Sequence, residues 1–274
     1  MLRLSLSSIL MALLAGPLSA QSSPYFITYT HHMEEPGSIE LSVNPVAGFP
    51  KQGNRSLASY LELEYGARGW WSTALYLDGR SETGFTGYHF ENRFRLLMQE
   101  HRVNPVLYVE FADVNGADRI TKEVVGFDSW RDFAEPADEA RHEKKRELET
   151  KLILSSNARG WNFAGNLIAE KNLAGQPWEL GYALGTSRPL ALAATASDCR
   201  FCAENISLGV EMYGGLGEQH ERTLSRTSHY VAPALAWTLP KGVTLRVSPA
   251  WGLTSSSNRM FVRFGISYEG TLFR

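Results

Sequence analysis

The stretch Gly242–Tyr268, GVTLRVSPAWGLTSSSNRMFVRFGISY, decides the fold. Its first arm places Val243, Leu245, Val247, Pro249 and Trp251 at alternate positions, with Thr244, Arg246, Ser248 and Ala250 between them. The second arm sets Met260, Val262, Phe264, Ile266 and Tyr268 against Phe261, Arg263, Gly265 and Ser267. A period of two describes a strand with one apolar and one wetter face. Each arm runs about nine to eleven residues, the length a tilted strand needs to cross a bilayer. The pattern predicts an all-β fold, a transmembrane antiparallel up-and-down β-barrel.

The same alternation recurs upstream. Apolar rows begin near Ile39, Leu57, Trp71, Tyr88, Leu107, Leu148, Trp161, Trp178, Ile206 and Val231, and counting them with the final hairpin gives about twelve strands. Tyr25–His32 alternates weakly, as a first strand or as a lead-in to one. Val114–Lys145 breaks the pattern: it is long and charged, with a short helix expected from Asp138 to Arg146. A segment of this kind between hairpin arms is an external loop, folded over or into the barrel mouth. Arg188–Ala203 is a second non-alternating connection, partly helical, and the last strand is expected to stop at Tyr268.

Connections alternate in length. Ala67-Arg68-Gly69, Asn157-Ala158-Arg159-Gly160 and Pro240-Lys241-Gly242 are short, with longer polar ones between them. Outer-membrane barrels have short periplasmic turns and longer external loops. Trp71, Trp161 and Trp237 each lie beside a short turn, as an interfacial aromatic girdle requires, while Trp251 and Tyr76 fall nearer the opposite ends. A secreted β-sandwich also alternates but has no reason to gather tryptophan at one rim.

Residues 1–20 read as a signal peptide: Arg3, an apolar run Ile9–Ala15, and Leu18-Ser19-Ala20 before Gln21. Residues 21–274 then form the exported barrel, placed in the outer membrane as a monomer in contact with lipid. No later stretch approaches the eighteen apolar residues of a membrane-crossing helix. A formal net charge of −2 gives no reason to expect nucleic acid. Cys199 and Cys202, the two cysteines of the chain, suit a local disulfide in an oxidising compartment.

Projected inward, the strands supply Glu62, Glu64, Glu91, Glu110, Glu149, Glu170 and Glu211, with Arg93, Arg95, Lys151, Arg246 and Arg263 as basic partners. Two readings stand side by side. The charges compensate one another and fill a narrow lumen, or an acid excess lines a pore that favours cations. His31, His32, Glu34 and Glu35 offer imidazole and carboxylate to a divalent metal, although neighbours on a strand point to opposite sides. Ser228-His229 is the nearest Ser–His pair, but adjacent strand residues cannot cooperate, and no Gly-x-Ser-x-Gly occurs. No catalytic residue and no cofactor are expected. The function expected is passive passage of small solutes, with a plugged structural or partner-binding barrel as the alternative and an outer-membrane lipid hydrolase ranked behind both.

Leu208-Gly209-Val210-Glu211-Met212-Tyr213-Gly214, His229-Tyr230-Val231-Ala232-Pro233-Ala234, Trp251-Gly252-Leu253-Thr254 and the early His31-His32-Met33-Glu34-Glu35-Pro36-Gly37 carry a resemblance. They resemble a broad group of small bacterial outer-membrane channels, grouped with the MetA-pathway phenol-degradation family. The long charged loop and the cysteine pair lie outside that pattern. The resemblance implies a barrel in the outer membrane and transport as its role.

Overall fold

The computed structural model describes residues 23–119, 124–193 and 201–271. Twelve strands follow one another: β1 Ser38–Phe49, β2 Ser56–Arg68, β3 Trp71–Arg80, β4 Gly84–Arg95, β5 Asn104–Asn115 and β6 Lys144–Ala158. Then come β7 Trp161–Asn172, β8 Trp178–Pro189, β9 Ile206–Glu218, β10 His229–Leu239, β11 Val243–Gly252 and β12 Met260–Thr271. Each pairs antiparallel with its neighbours, and β1 pairs with β12, so the sheet closes on itself. Closure leaves no free edge. Among the described residues no helix is long and apolar enough to cross a membrane.

Sidedness is the reverse of a soluble barrel. Leu41, Val43, Leu61, Leu63, Leu152, Leu154, Phe264 and Ile266 are exposed on the outer wall. Ser42, Asn44, Glu91, Lys151, Glu211 and Arg263 are buried on the inner one. Because the side-chain period is two, a one-residue slip of any strand would turn its charges outward, so the register is strongly specified.

β1 begins and β12 ends at one rim, the terminal rim, and the other is the loop rim. At the terminal rim Arg159 and Gly160 both take positive φ, 53° and 80°, as a two-residue hairpin of matching twist demands. Indoles gather there: Trp70 stacks on Trp71 and on Phe94, Trp161 on Phe163, and Trp237 on Phe201. Loop length does not sort cleanly by rim, contrary to expectation. The β4–β5 connection (96–103) lies at the terminal rim and is long, whereas β3 and β4 are joined at the loop rim by residues 81–83 alone.

Three further expectations change. Tyr76 faces inward and is buried, hydrogen-bonded to glutamates rather than placed in a girdle. The last strand runs on to Thr271, because Ser38↔Thr271 still pair across the seam. In the long loop the helices are α1 Trp130–Ala134 and α2 Ala137–Ala140, and β6 already begins at Lys144. Ser129 and Asp132 form a reciprocal capping box on α1, which draws the helix earlier than charge pattern alone indicated. The expected signal peptide lies outside the described residues, as does Cys199. Cys202 is buried and disulfide-bonded.

Closure is testable at the seam, where Val43 and Ile266 are directly paired. In a Cys199→Ser, Cys202→Ser background, Val43→Cys with Ile266→Cys should oxidise to an intramolecular disulfide in the folded protein. Val43→Cys with Val247→Cys, on non-adjacent strands, should not.

Candidate functional site

The site is the lumen. Its inner wall carries one row of carboxylates, interrupted only at β3. Directly opposed residues run Glu269, Glu40, Glu64, Ala74, Glu91, Glu110, Glu149, Glu170, Glu179, Glu218 across successive strands from β12 through β1 to β9. Strands in a barrel tilt, so a row that follows the hydrogen-bonding direction climbs along the axis. Glu269 lies near the end of β12 at the terminal rim, and Glu218 is the last residue of β9 at the loop rim. The glutamates therefore form a spiral ribbon that reaches both rims.

Like charges opposite one another are destabilising. The wall offsets them step by step. Arg93 reaches Glu64 and lies 2.8 Å from Glu91. Lys151 lies 3.0 Å from Glu149 and under the rings of Tyr29 and Tyr108. Nδ1 of His89 is 2.8 Å from Glu110. The Tyr76 hydroxyl lies within hydrogen-bond reach of both Glu62 and Glu91 and has one proton to give. At the loop rim Glu170, Glu179 and Glu218 face a cavity of about 290 Å³, with Arg119 and Lys145 also in its wall.

Two inserts occupy the lumen. The first is the lead-in from Ser23, which is neither strand nor helix. Glu211 accepts from the backbone N–H of Phe26, Ile27 and Thr28 at 2.9, 2.9 and 2.7 Å. Asn166 accepts from Tyr29 N and donates to Tyr29 O, so its amide replaces a strand partner. Ser155 binds His31 through both its backbone N–H and its ring. Arg95 donates to the carbonyl of His31, and Arg246 to that of Tyr25. The backbone of an inserted segment must find such partners.

The second insert is the long loop. Gly126 donates to Leu180 O and bridges Gly217. Ser228 donates to the carbonyl of Asp128, and Trp130 N to that of Ser256. Phe133 meets Phe261 edge-on at 5.6 Å. Ile27 of the lead-in and Val124, Val125 and Phe133 of the loop join one buried apolar cluster with Tyr213, Tyr230 and Phe261. Beyond this cluster a second cavity of about 170 Å³ opens towards the terminal rim, lined by Glu40, Glu62, Glu64, Arg93, Arg246 and Glu269 among others.

The structure places the inward candidates from the sequence in different surroundings. Glu64, Glu91 and Arg93 form one network, and Glu211 holds the lead-in. Glu170 faces the loop-rim cavity, while Arg263 lies over the Phe261 ring. His31, His32, Glu34 and Glu35 do not converge: His32 lies by Asn157, and Glu34 accepts from Ser38. Burial pushes the His31 imidazole down to about 4, with His32 beside it adding to the shift, so the ring is neutral at pH 7. The ring of His229 meets Tyr182 and Thr227 instead of Ser228. Sequence reasoning missed Asn166 as a clamp and His89 as the centre of a buried group with Asp78 and Asp118. Inward polar residues facing a weakly alternating lead-in were the available signal for the first.

Solved structures share this architecture. An outer-membrane channel from Pseudomonas putida F1 aligns with a TM-score of 0.56 at 9% identity, over 88% of this chain and 98% of that one. The KdgM porin aligns at 0.53 and 7%, over 83% of this chain and 98% of that one. The NanC porin aligns at 0.51 and 8%, over 84% and 98%. At such identities the likeness is one of fold. No family model matches the chain, and no curated protein matches it. The porin-like barrel expected from the sequence is thus the observed fold, while membership of the MetA-pathway family is not confirmed.

Glu211 gives a direct test of the lead-in. Hydrogen bonds to a charged acceptor contribute about 1.5–3 kcal/mol each. Glu211→Ala removes the acceptor of three backbone donors, so protease should cut within 23–33 in the folded variant and leave the parent intact there.

Proposed function

We propose that the protein is a monomeric outer-membrane channel for small solutes that favours cations and is closed, in this conformation, by its own lead-in and loop. The carrying observation is the glutamate ribbon, because it reaches both rims. A protein gains no stability from placing carboxylates opposite one another, whereas rings of acidic side chains are how cation channels select. The exposed apolar outer wall supports a lipid setting: a contiguous patch of this extent is not sustained in water. The neighbours in fold are outer-membrane channels and porins, and transport comes to this chain as a proposal from that likeness. An exported chain with residues 1–20 removed and a Cys199–Cys202 disulfide fits the same setting.

The apolar cluster shared by the two inserts favours a second reading, a barrel sealed for good. Conductance separates the two. In planar bilayers the parent should pass small, potassium-selective currents, and Glu211→Ala should enlarge them. Glu170→Gln with Glu179→Gln should lower the potassium-to-chloride permeability ratio several-fold. Folded protein that carries no current, with or without Glu211→Ala, would establish the sealed barrel.

The lipid claim has its own check. Leu152→Arg on the outer wall should cost about 2–4 kcal/mol of folding stability in vesicles if it lies near the midplane. The inward Glu170→Arg, which faces the loop-rim cavity, carries no such lipid penalty.

A further inference from the structure

At the middle of the glutamate ribbon, three adjacent strands and the long loop bring one imidazole and three carboxylates together. Asp78 is on β3, His89 on β4 and Glu110 on β5, and Asp118 opens the loop that follows. Asp78, His89 and Asp118 are only 3%, 5% and 7% exposed. The register of β3 against β4 shifts between Asp78 and Gly79. Irregularities of this kind re-aim a side chain. Asp118 is presented by a tight turn, its N–H bonded to Asn115 O, while Arg80 holds the carbonyl of Ala117.

The two ring nitrogens of His89 have different surroundings. Nδ1 is 2.8 Å from Glu110 Oε1, and the other oxygen of that carboxylate accepts from Tyr108. A proton on Nδ1 donated to Glu110 is the arrangement in which a carboxylate orients a metal-bound histidine. Nε2 then faces Asp78 Oδ2 at 2.6 Å and Asp118 Oδ2 at 3.3 Å. Without a metal, even a fully protonated ring has only one proton on Nε2 for these two carboxylates. Asp78 Oδ2 is buried and, among the described residues, is left without a well-formed hydrogen bond. Three donor atoms, all within 4.8 Å of one another, converge on one point.

We propose that Asp78, His89 and Asp118 bind a divalent first-row transition metal, with Glu110 as the positioning residue for the histidine. Imidazole with carboxylate suits zinc and its neighbours rather than calcium or magnesium. Zinc bonds of about 2.1 Å in a tetrahedron put ligand atoms about 3.4 Å apart. The His89–Asp118 separation already matches that spacing, and Asp78 needs to open by less than about 1 Å. A fourth position remains for water. The ion would tie the base of the inserted loop to two strands of the wall.

The test uses the full exported chain, disulfide intact and folded in detergent, with Zn2+ or Co2+ alone as the probe. One ion should bind per chain by calorimetry, and Co2+ should give the visible absorption of a nitrogen–oxygen site. Asp118→Asn, a loop change that leaves the wall intact, should weaken binding at least tenfold. Glu110→Gln should weaken it about ten- to a hundredfold. His31→Gln should leave it unchanged. The proposal is overturned if the folded parent binds neither ion, if Asp118→Asn binds as tightly as the parent, or if His31→Gln is the variant that abolishes binding. Should His89→Gln fail to fold, Asp118→Asn still decides. None of these readouts depends on conductance.

Discussion

When a sheet closes on itself, each strand's register decides which inward side chains stand beside one another all the way round. In this barrel that constraint produces the glutamate ribbon. No strand contributes more than one carboxylate to it, and no local stretch of sequence is acidic enough to stand out. The feature exists only because nine separate pairings agree, from Glu269↔Glu40 to Glu179↔Glu218. A slip of one residue in a strand would turn its carboxylate to the outer face and break the row there. The cost of opposed charges is met locally, by Arg93, Lys151 and His89 along the middle of the row.

The inserts lie where the wall can receive backbone. A Cβ on Gly66 would sit 2.0 Å from the carbonyl oxygen of Glu35, and one on Gly215 would sit 2.3 Å from that of Gly126. Only glycine allows the lead-in and the loop to approach so closely. Elsewhere the wall supplies acceptors in place of space. Glu211 faces three consecutive N–H groups, and Asn166 offers both halves of an amide. The bonds to the charged Glu211 contribute the most of these, and the neutral ones to Asn166 less, because water replaces them when they open.

Strand number, sidedness and the terminal aromatic rim were legible in the sequence, since period two survives in nearly every arm from Ile39 to Tyr268. Register was not legible, so inward residues such as Glu110 and Glu149 were identified without the knowledge that they stand side by side. Glu269 and Glu218 escaped because they sit at strand ends, where alternation fades. Tyr25–His32 alternates weakly for a physical reason: it runs inside the barrel and pairs with side chains, so no face of it is selected for lipid. His89 was visible as an inward residue of β4. Its chemistry depends on Asp118, twenty-nine residues away in a loop whose path no periodicity reports.

What holds the lumen closed follows from comparing the two kinds of contact. Hydrogen bonds to Glu211 and Ser155, and those with Asn166, fix the position of the lead-in, yet each can be exchanged for water when it opens. Ile27, Val124, Val125 and Phe133 have no such exchange. Full burial of one large apolar side chain contributes about 1.5–3 kcal/mol relative to its exposure. Ile27 comes from one insert and Phe133 from the other, and both belong to the same buried cluster. The apolar cluster therefore joins the two inserts to each other, and the polar contacts fix where the lead-in lies on the wall. Once both inserts are withdrawn, the surface left behind is the charged wall, with its carboxylates already aligned from one rim to the other.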